Sequence, residues 1–323
     1  MRILIVRTSS LGDLIHMLPA ITDIERHVPN AVIDWVVEEN FAEIPRWHKA
    51  VQDTIVVAHR RWRRSWWSAA TRSERKAAVD RLQSVNYDIV LDMQGLLKSI
   101  GFVRAARGVK HGLSWTSTQE SLCSLFYDVK HPVAFHQPAV IRQRLLAAAT
   151  FGYAVTGEPD FGLDHLAINA PTAPYAVIMP SASRDDKLWP APDWQAVFDA
   201  LQTHGLGLQL LAGNDNERVR AQALIEARPD AVVTPKSSLT ELAALLANAR
   251  VMVGLDSGLT HLAAALGTDT IGIYKASTPA ITPVEGRGFV ASLGDQNRSP
   301  SQDEVLEALR AALSSFCPRL APN

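Results

Sequence analysis

Val251-Met252-Val253-Gly254-Leu255-Asp256-Ser257-Gly258-Leu259-Thr260-His261 is the stretch that decides the fold. It opens with an apolar run short enough for a buried strand, and the run stops at Asp256. A Ser-Gly turn follows, and the next apolar residues predict a helix that ends at Gly267. A strand, a small-residue turn and a helix in this order point free backbone N–H groups and a positive helix end at one spot, which favours phosphate binding. Because Asp256 can accept hydrogen bonds from hydroxyl groups, the segment predicts a nucleotide-sugar site.

Short apolar runs alternate with amphipathic stretches along the whole chain. The predicted strands are Arg2–Val6, Ile33–Val37, Thr54–Val57, Ile89–Asp92, Lys110–Leu113, Tyr175–Met179, Leu208–Ala212, Val251–Gly254 and Thr270–Tyr274. The predicted helices are Asp13–His27, Phe41–Trp47, Arg72–Val85, Leu97–Ala106, Pro138–Phe151, Trp194–Thr203, Glu217–Arg228, Leu239–Ala247, Leu259–Leu266 and Gln302–Phe316. Strands separated by helices in this way indicate βα units and parallel sheets.

The length of 323 residues suits two domains. A second series of strands begins near Tyr175, after proline-rich stretches that predict a linker. We therefore expect an α/β protein with two Rossmann-like, doubly wound parallel-sheet domains, residues 1–160 and 161–301. Ligands bind at the carboxyl ends of the strands in such folds, so we expect a cleft between the two sheets. We expect the helix in residues 302–323 to pack back on the first domain.

The composition, 47% hydrophobic and 20% charged, is that of a globular protein. Cys123 and Cys317 form neither a disulfide framework nor a metal-ligand pattern, which favours a reducing compartment. The first apolar run is broken by Arg7 and Asp13, unlike a signal peptide, and no apolar stretch is long enough to span a bilayer. We expect a cytoplasmic protein.

The small net charge of −1 hides an asymmetry between the two halves of the chain. Residues 1–150 hold 20 basic and 14 acidic residues, whereas residues 151–323 hold 12 and 19. A basic first half indicates an anionic partner there. The charge alone leaves nucleic acid, phospholipid and acidic sugar open.

The loop Thr8-Ser9-Ser10-Leu11-Gly12-Asp13 follows the first predicted strand and begins the first predicted helix. Its small residues allow a ligand to approach the backbone closely. Asp13 lies in the first helical turn, where the helix dipole favours a carboxylate. Asp13 has two possible roles. It is either a helix-capping acid or a general base that takes a proton from a hydroxyl group.

The segment His59–Trp67 packs four arginines and three tryptophans into nine residues. Helical spacing predicts that Arg60 and Arg64 share one face and that Trp62 and Trp66 share another. Arginine suits carboxylate and phosphate capture, and tryptophan suits the headgroup level of a membrane. Nucleic-acid binding is a competing function, and a solvated basic helix with core aromatics is the structural alternative.

Six segments of the chain resemble the bacterial lipopolysaccharide heptosyltransferases, glycosyltransferase family 9, in order and spacing. They are Thr8–Asp13, Asp34–Glu39, Arg60–Arg64, Gln94–Ser99, Ser183–Pro190 and Asp256–His261. The resemblance is strongest to the type I members, which add the first heptose to the inner Kdo of Kdo₂-lipid A. Type II members, whose acceptor already carries one heptose, are the alternative. The resemblance implies the glycosyltransferase-B fold and an inverting reaction without a metal or a cofactor, and the chain has no Asp-x-Asp motif.

For the donor, the resemblance implies that the second domain binds ADP-L-glycero-β-D-manno-heptose. It assigns neutralisation of the departing diphosphate to Lys187, whose structural alternative is a surface ion pair. The other implied donor-binding residues are Asp256 for the heptose hydroxyls, the backbone of Ser257, Gly258 and Leu259 for the phosphates, Ala182 and Ser183 for phosphate or sugar, Glu217 for the ribose, Ser237 for the base, and His261 for ordering the loop or contacting the ligand. For Glu217 a helix-capping role remains open.

For the acceptor, the resemblance implies that Asp13 takes the proton of a Kdo hydroxyl, which then attacks heptose C1. The implied acceptor-binding residues are Ser10, Arg60, Arg61, Arg63, Arg64, Gln94 and Lys98. Kdo₂-lipid A as the partner implies the cytoplasmic face of the inner membrane and no nucleic acid. A non-catalytic nucleotide- or nucleic-acid-binding protein, with Asp13 as a mere cap, is the alternative from another class. The chain departs from the family at Gln119, often arginine, and at Lys275, often glycine.

Overall fold

The computed structural model describes residues 1–166, 173–182 and 184–314. Ser183, Cys317 and the part of the predicted C-terminal helix beyond Ser314 lie outside the described residues. The chain divides into two compact units, Met1–Gly162 and Leu163–Asn323, two residues from the predicted boundary. Each unit holds a six-stranded parallel sheet with helices, so the predicted α/β class is confirmed. No helix within the described ranges is both long and apolar enough to cross a membrane.

The sheet of the first unit has the strand order β3-β2-β1-β4-β5-β6, and each neighbouring pair is parallel. Its strands are β1 (Arg2–Val6), β2 (Val32–Glu38), β3 (Val51–Val57), β4 (Asn86–Asp92), β5 (Arg107–Leu113) and β6 (Val129–His131). Its α-helices are α1 (Leu11–His27), α2 (Glu43–Trp47), α3 (His59–Arg64), α4 (Ala69–Gln83), α5 (Leu97–Ala105) and α6 (Ala139–Phe151), and the short 3₁₀ helices are Glu39–Phe41 and Ser121–Phe126.

The second unit repeats this plan with the order β12-β11-β10-β7-β8-β9, again all parallel. Its strands are β7 (Tyr175–Met179), β8 (Gly207–Leu210), β9 (Ala231–Val233), β10 (Val251–Leu255), β11 (Asp269–Tyr274) and β12 (Val290–Gly294). Its α-helices are α7 (Ala191–Thr203), α8 (Asp215–Leu224), α9 (Leu239–Ala247), α10 (Gly258–Ala265) and α11 (Gln302–Ser314), and the 3₁₀ helices are Asp164–Leu166 and Asp185–Lys187.

The central strands are buried on both faces, which explains their continuous apolar runs. In β1 all residues after Arg2 are buried, and β10 is buried throughout. In each sheet the first three strands extend to one side and the next three extend to the other side. The order therefore switches between β1 and β4 in the first sheet and between β7 and β10 in the second. Ligands bind at this switch point, outside the carboxyl ends of the strands, in doubly wound sheets. Asp13, Gln94, Lys187 and Asp256 lie in the segments that follow β1, β4, β7 and β10.

Gly254 in β10 allows helix α10 to return close to its own strand. A Cβ atom at Gly254 would lie 2.7 Å from Thr260 Oγ1 and 2.9 Å from the Cβ of Met179. The space is used by Thr260, whose hydroxyl donates a 2.6 Å hydrogen bond to the carbonyl of Leu255. The absence of a side chain at Gly254 therefore allows α10 to start close to the end of β10.

Two sequence-based expectations differ from the structure. Strands β6, β9 and β12 were not predicted, and each lies at an edge of its sheet. The C-terminal helix α11 was expected to pack on the first domain, but its described part packs within the second unit. Val305, Leu309 and Ala312 enter the same core as Trp194 of α7. The sequence predicted this helix, but the surface that covers it was decided by the tertiary structure.

Candidate active site

Asp13 caps helix α1 and is held at three points. Its Oδ2 accepts hydrogen bonds from Ser10 N at 2.9 Å and Ser10 Oγ at 2.8 Å, which forms a capping box. Its Oδ1 lies 2.9 Å from Arg7 Nη2, and 40% of the Asp13 side chain is exposed. Burial raises the pKa of Asp13, but the Arg7 guanidinium and the Ser10 hydrogen bonds outweigh it and hold the pKa at about 2. Asp13 is therefore an ionised, partly exposed carboxylate with a fixed orientation.

Arg7 is a site residue that the sequence analysis did not identify. Its side chain is buried, and its Nη1 donates to the carbonyl of Met93, just after β4. The guanidinium is thereby fixed between the ends of β1 and β4 while its other nitrogen faces Asp13. A basic residue directly after a buried strand and six residues before the acid of the next helix could have been a signal for this pair.

Gln94 and Lys98 meet the loop that contains Ser10. Gln94 Oε1 accepts hydrogen bonds from the N–H and the hydroxyl of Thr8 at 2.9 and 3.0 Å, and Gln94 Nε2 donates to the carbonyl of Ser9 at 2.9 Å. Lys98 Nζ donates to Ser9 Oγ at 2.8 Å. Burial, with a further contribution from the positive charge of Arg60, lowers the pKa of Lys98. The predicted residues Ser10, Gln94 and Lys98 thus come together with Asp13 around one loop.

The arginine-rich segment forms helix α3, which ends at Arg64, so Trp62 and Trp66 do not share a helix face as predicted. Trp62 is buried and its Nε1 donates to Glu74 at 2.7 Å, whereas Trp66 and Trp67 are 64% and 63% exposed. The helix stops because Ser65 adopts a non-helical backbone conformation.

The four arginines of α3 differ in their environments. Arg61 forms ion pairs with Glu39 at 3.0 Å and Glu74 at 2.9 Å, which is a local structural role. Arg60 stacks its guanidinium 5.7 Å above the ring of Phe41. Arg63 and Arg64 are exposed and have no acidic partner in the described part of the chain. Within the described residues, three of the four charges are thus available to an external anion without breaking an ion pair.

In the second unit, the carboxylate of Asp256, directly after β10, contacts three side chains. Its Oδ2 accepts hydrogen bonds from Lys187 Nζ at 2.7 Å and Ser277 Oγ at 2.6 Å, and its Oδ1 lies 3.2 Å from His261 Nε2. Burial raises the pKa of Asp256, but hydrogen bonds from His261, Lys187 and Ser277 outweigh it and hold the pKa well below its usual range. The predicted residues Lys187, Asp256 and His261 therefore form one cluster.

The N-terminus of α10 lies next to this cluster. Ser257 is the N-cap, and its side chain accepts a hydrogen bond from the N–H of Thr260. Within the described residues, the N–H groups of Ser257, Gly258 and Leu259 have no protein acceptor. Free N–H groups at the positive end of a helix bind anions. The predicted phosphate-binding segment has the required backbone geometry.

Lys275 and Ser277, after β11, complete the cluster. Lys275 Nζ donates a 2.9 Å hydrogen bond to the carbonyl of Leu188, directly after Lys187. The residue that departs from the family at position 275 therefore holds the loop that carries Lys187. Sequence analysis missed the contact of Ser277 with Asp256, although it singled out the altered turn in which Ser277 lies.

The remaining donor candidates follow neighbouring strands. Glu217 in α8 accepts hydrogen bonds from Gly213 N and Asn214 Nδ2, both at 2.7 Å, which is the capping role left open by its position. Ser237 donates to the carbonyl of Pro235 at 3.1 Å. Ala182 is buried in the core of the second unit, so only its backbone is available to a ligand. No group of three or more His, Cys, Asp or Glu side chains in the described ranges is placed to hold a metal ion.

Comparisons with known proteins identify the family of the chain. Residues 75–309 match the model of glycosyltransferase family 9 (heptosyltransferase). The chain is 45% identical over 286 residues to lipopolysaccharide heptosyltransferase 1 of Escherichia coli strain K12, covering 87% of this chain and 90% of that relative. Its structure is similar to that of the E. coli heptosyltransferase WaaC with ADP, with a TM-score of 0.90, 42% identity and coverage of 97% and 100%. WaaC with ADP-2-deoxy-2-fluoro heptose gives a TM-score of 0.87 at 42% identity and coverage of 96% and 99%. The chain therefore belongs to glycosyltransferase family 9, the heptosyltransferases.

Proposed function

We propose that the protein is an inverting, metal-independent heptosyltransferase of type I. It moves L-glycero-D-manno-heptose from ADP-heptose to the inner Kdo of Kdo₂-lipid A. The observation that carries the proposal is the cluster of Lys187, Asp256 and the free N–H groups of residues 257–259. The cluster lies at the switch point of the second sheet. The chain is similar to a heptosyltransferase whose solved structures are with ADP and with ADP-2-deoxy-2-fluoro heptose.

On the donor side, backbone N–H groups and one lysine bind the two negative charges of the diphosphate. The N–H groups of Ser257, Gly258 and Leu259 bind phosphate oxygens, and Lys187 neutralises the negative charge that grows on ADP as the bond to heptose C1 breaks. A charged hydrogen bond contributes about 1.5–3 kcal/mol, and more where it strengthens in the transition state. In this mechanism the departing ADP is stabilised by protein groups, without a metal ion.

Asp256 has the capacity to bind the sugar while it holds its protein partners. A carboxylate offers about four lone-pair positions, and Lys187, Ser277 and His261 use three of them. One position is left for a heptose hydroxyl. Because the pKa of Asp256 is strongly lowered, the group accepts hydrogen bonds over the whole physiological pH range.

On the acceptor side, Asp13 acts as the general base. It takes the proton of the 5-hydroxyl of the inner Kdo as that oxygen attacks heptose C1, so one C–O bond forms while the C1–O bond to ADP breaks. The reaction is a single displacement and inverts the anomeric centre. Ser10, Gln94, Lys98 and the exposed arginines of α3 bind the carboxylates and phosphates of the acceptor.

Replacement of Arg7 by Met is expected to raise the pKa of Asp13, because the guanidinium is the strongest of the influences that lower it. A carboxylate beside arginine loses about 1–3 pKa units, so we expect an upward shift of that size. Protonated Asp13 cannot act as a base, so kcat/KM should fall at a correspondingly higher pH on the acid side. Carboxyl ¹³C NMR titration and pH–rate profiles measure both effects. Arg7→Lys, which keeps the charge, is the control, and an unmoved acid limb in Arg7→Met would contradict the proposed coupling.

The choice of acceptor tests the whole proposal. Purified protein is offered ADP-heptose with either Kdo₂-lipid A or heptosyl-Kdo₂-lipid A, and ADP release and product mass are measured. Transfer to Kdo₂-lipid A alone supports type I, and transfer to the second acceptor alone supports type II. Absence of transfer to both, together with tight binding of RNA or DNA, would indicate a non-catalytic nucleic-acid-binding protein. An added chelator should leave the rate unchanged.

We also propose a peripheral location on the cytoplasmic face of the inner membrane, because the acceptor is a membrane lipid. The exposed Trp66 and Trp67 follow the arginines of α3. Aromatic side chains next to basic ones favour the interface of an anionic membrane. Fractionation of cells followed by a high-salt wash tests this location, since a peripheral protein is released by salt.

A further inference from the structure

A second exposed apolar surface lies on the first unit, away from the arginine-rich segment in sequence. The 3₁₀ helix Ser121–Phe126 exposes Leu122 by 53%, Leu125 by 65% and Phe126 by 37%, and Leu97 at the start of α5 is 50% exposed. The 3₁₀ helix packs against α5, and Leu97 N donates a 2.5 Å hydrogen bond to the carboxylate of Glu120. These four side chains are called the apolar patch below.

The outward direction of the patch is fixed by what the 3₁₀ helix buries. Cys123 is fully buried, and Tyr127 donates a 2.7 Å hydrogen bond to the buried Asp92. A 3₁₀ helix has three residues per turn, so Leu122 and Leu125 lie one above the other on the side opposite these anchors. The leucines cannot turn inward without displacing the core. Large apolar side chains grouped at the surface mark an interaction site.

The segment of the chain that carries the patch has a net positive charge. Between residues 97 and 130 the chain has five basic and two acidic residues. Both acids are engaged by backbone N–H groups, Glu120 by Leu97 and Asp128 by Lys110 at 2.8 Å. The Arg104 guanidinium lies 5.6 Å from the centre of the Phe126 ring, so a cation sits directly beside the apolar surface.

We propose that the apolar patch docks on the surface of an anionic lipid bilayer and inserts Leu122, Leu125 and Phe126 below the headgroups. A second copy of the chain fits the patch less well, because a two-fold contact would bring two positive segments and two copies of Arg104 together, whereas anionic headgroups attract them. The inference deepens the proposed function and rests on it for the lipid nature of the acceptor. Leu97 directly precedes Lys98, which holds the loop of Asp13, so docking would bring the headgroup region to the acceptor residues.

The test replaces Leu122, Leu125 and Phe126 together by Ser and measures co-sedimentation with vesicles of phosphatidylethanolamine and phosphatidylglycerol. We expect vesicle binding to weaken by about tenfold or more, since each apolar side chain loses its membrane burial. The matched control replaces the exposed Val219 and Val232 of the second unit by Ser, and it should leave binding unchanged. Vesicles of phosphatidylcholine alone should bind the unchanged protein weakly, because they lack the anionic charge. Circular dichroism confirms that the variants are folded.

Turnover separates this inference from the proposed function. With a water-soluble Kdo acceptor that lacks acyl chains, the triple variant should keep the normal rate, whereas with Kdo₂-lipid A in vesicles it should be slower. Normal vesicle binding by the triple variant would overturn the docking inference and leave the proposed function intact. Dissociation of a dimer by the same substitutions would also overturn it, in favour of a contact between copies. Vesicle binding that requires the patch, without transfer to any acceptor, would support docking and contradict the proposed function.

Discussion

Asp13→Asn is expected to lower the rate of heptosyl transfer by about 10²–10⁴-fold, the usual contribution of a general base. The amide is nearly isosteric with the carboxylate and still accepts a hydrogen bond from Ser10 N, so helix α1 keeps its cap. The amide cannot take a proton, and this loss should appear in kcat. Because the proposed donor site lies on the second unit, the dissociation constant of ADP-heptose should stay unchanged. Single-turnover kinetics and calorimetric titration with ADP-heptose measure the two quantities separately.

A matched control exists elsewhere in the chain. Ser238 and Glu241 form the same capping box on α9 that Ser10 and Asp13 form on α1. Glu241→Gln therefore reproduces the structural part of the substitution at a residue that has no proposed role in the reaction, and kcat should be normal. If Asp13→Asn retained the rate of Glu241→Gln, Asp13 would be only a helix cap and the base assignment would be wrong.

Lys187→Met is expected to lower kcat by about 10²–10³-fold, the effect of removing one group that stabilises a developing negative charge. The Lys187 ammonium is mostly buried and lies 2.7 Å from Asp256, so its orientation is already set before the donor arrives. Because the charge on ADP grows as the bond breaks, kcat should fall more than donor affinity does. Lys187→Arg keeps the charge and should recover part of the rate.

The control for Lys187 is an exposed lysine in a simple ion pair. Lys76 pairs with Asp80 on the surface of α4. Such pairs contribute about 0–1 kcal/mol to stability, so Lys76→Met should leave kcat unchanged. Equal, small effects of Lys187→Met and Lys76→Met would mean that Lys187 is merely a structural ion-pair partner of Asp256.

The central strands were predictable from sequence, whereas three of the four edge strands, β6, β9 and β12, were not. Strands β1, β7 and β10 are buried on both faces, so each appears as an apolar run bounded by polar residues or proline. An edge strand has one partner and partial exposure, so its sequence needs no such run. The three-residue strands Val129–His131 and Ala231–Val233 form because a neighbouring strand already offers its hydrogen-bonding groups.

The sequence by itself determined the α/β class, the positions of the loops that carry the candidate site, and the helix start at residues 257–259. Burial and helix initiation are local properties that neighbouring residues encode. Only the tertiary structure paired Lys187 with Asp256, 69 residues away, and Arg7 with the carbonyl of Met93. It also ended α3 before Trp66 and placed α11 on the second unit. Such contacts depend on which strands become neighbours, and strand order is decided by packing of the whole sheet.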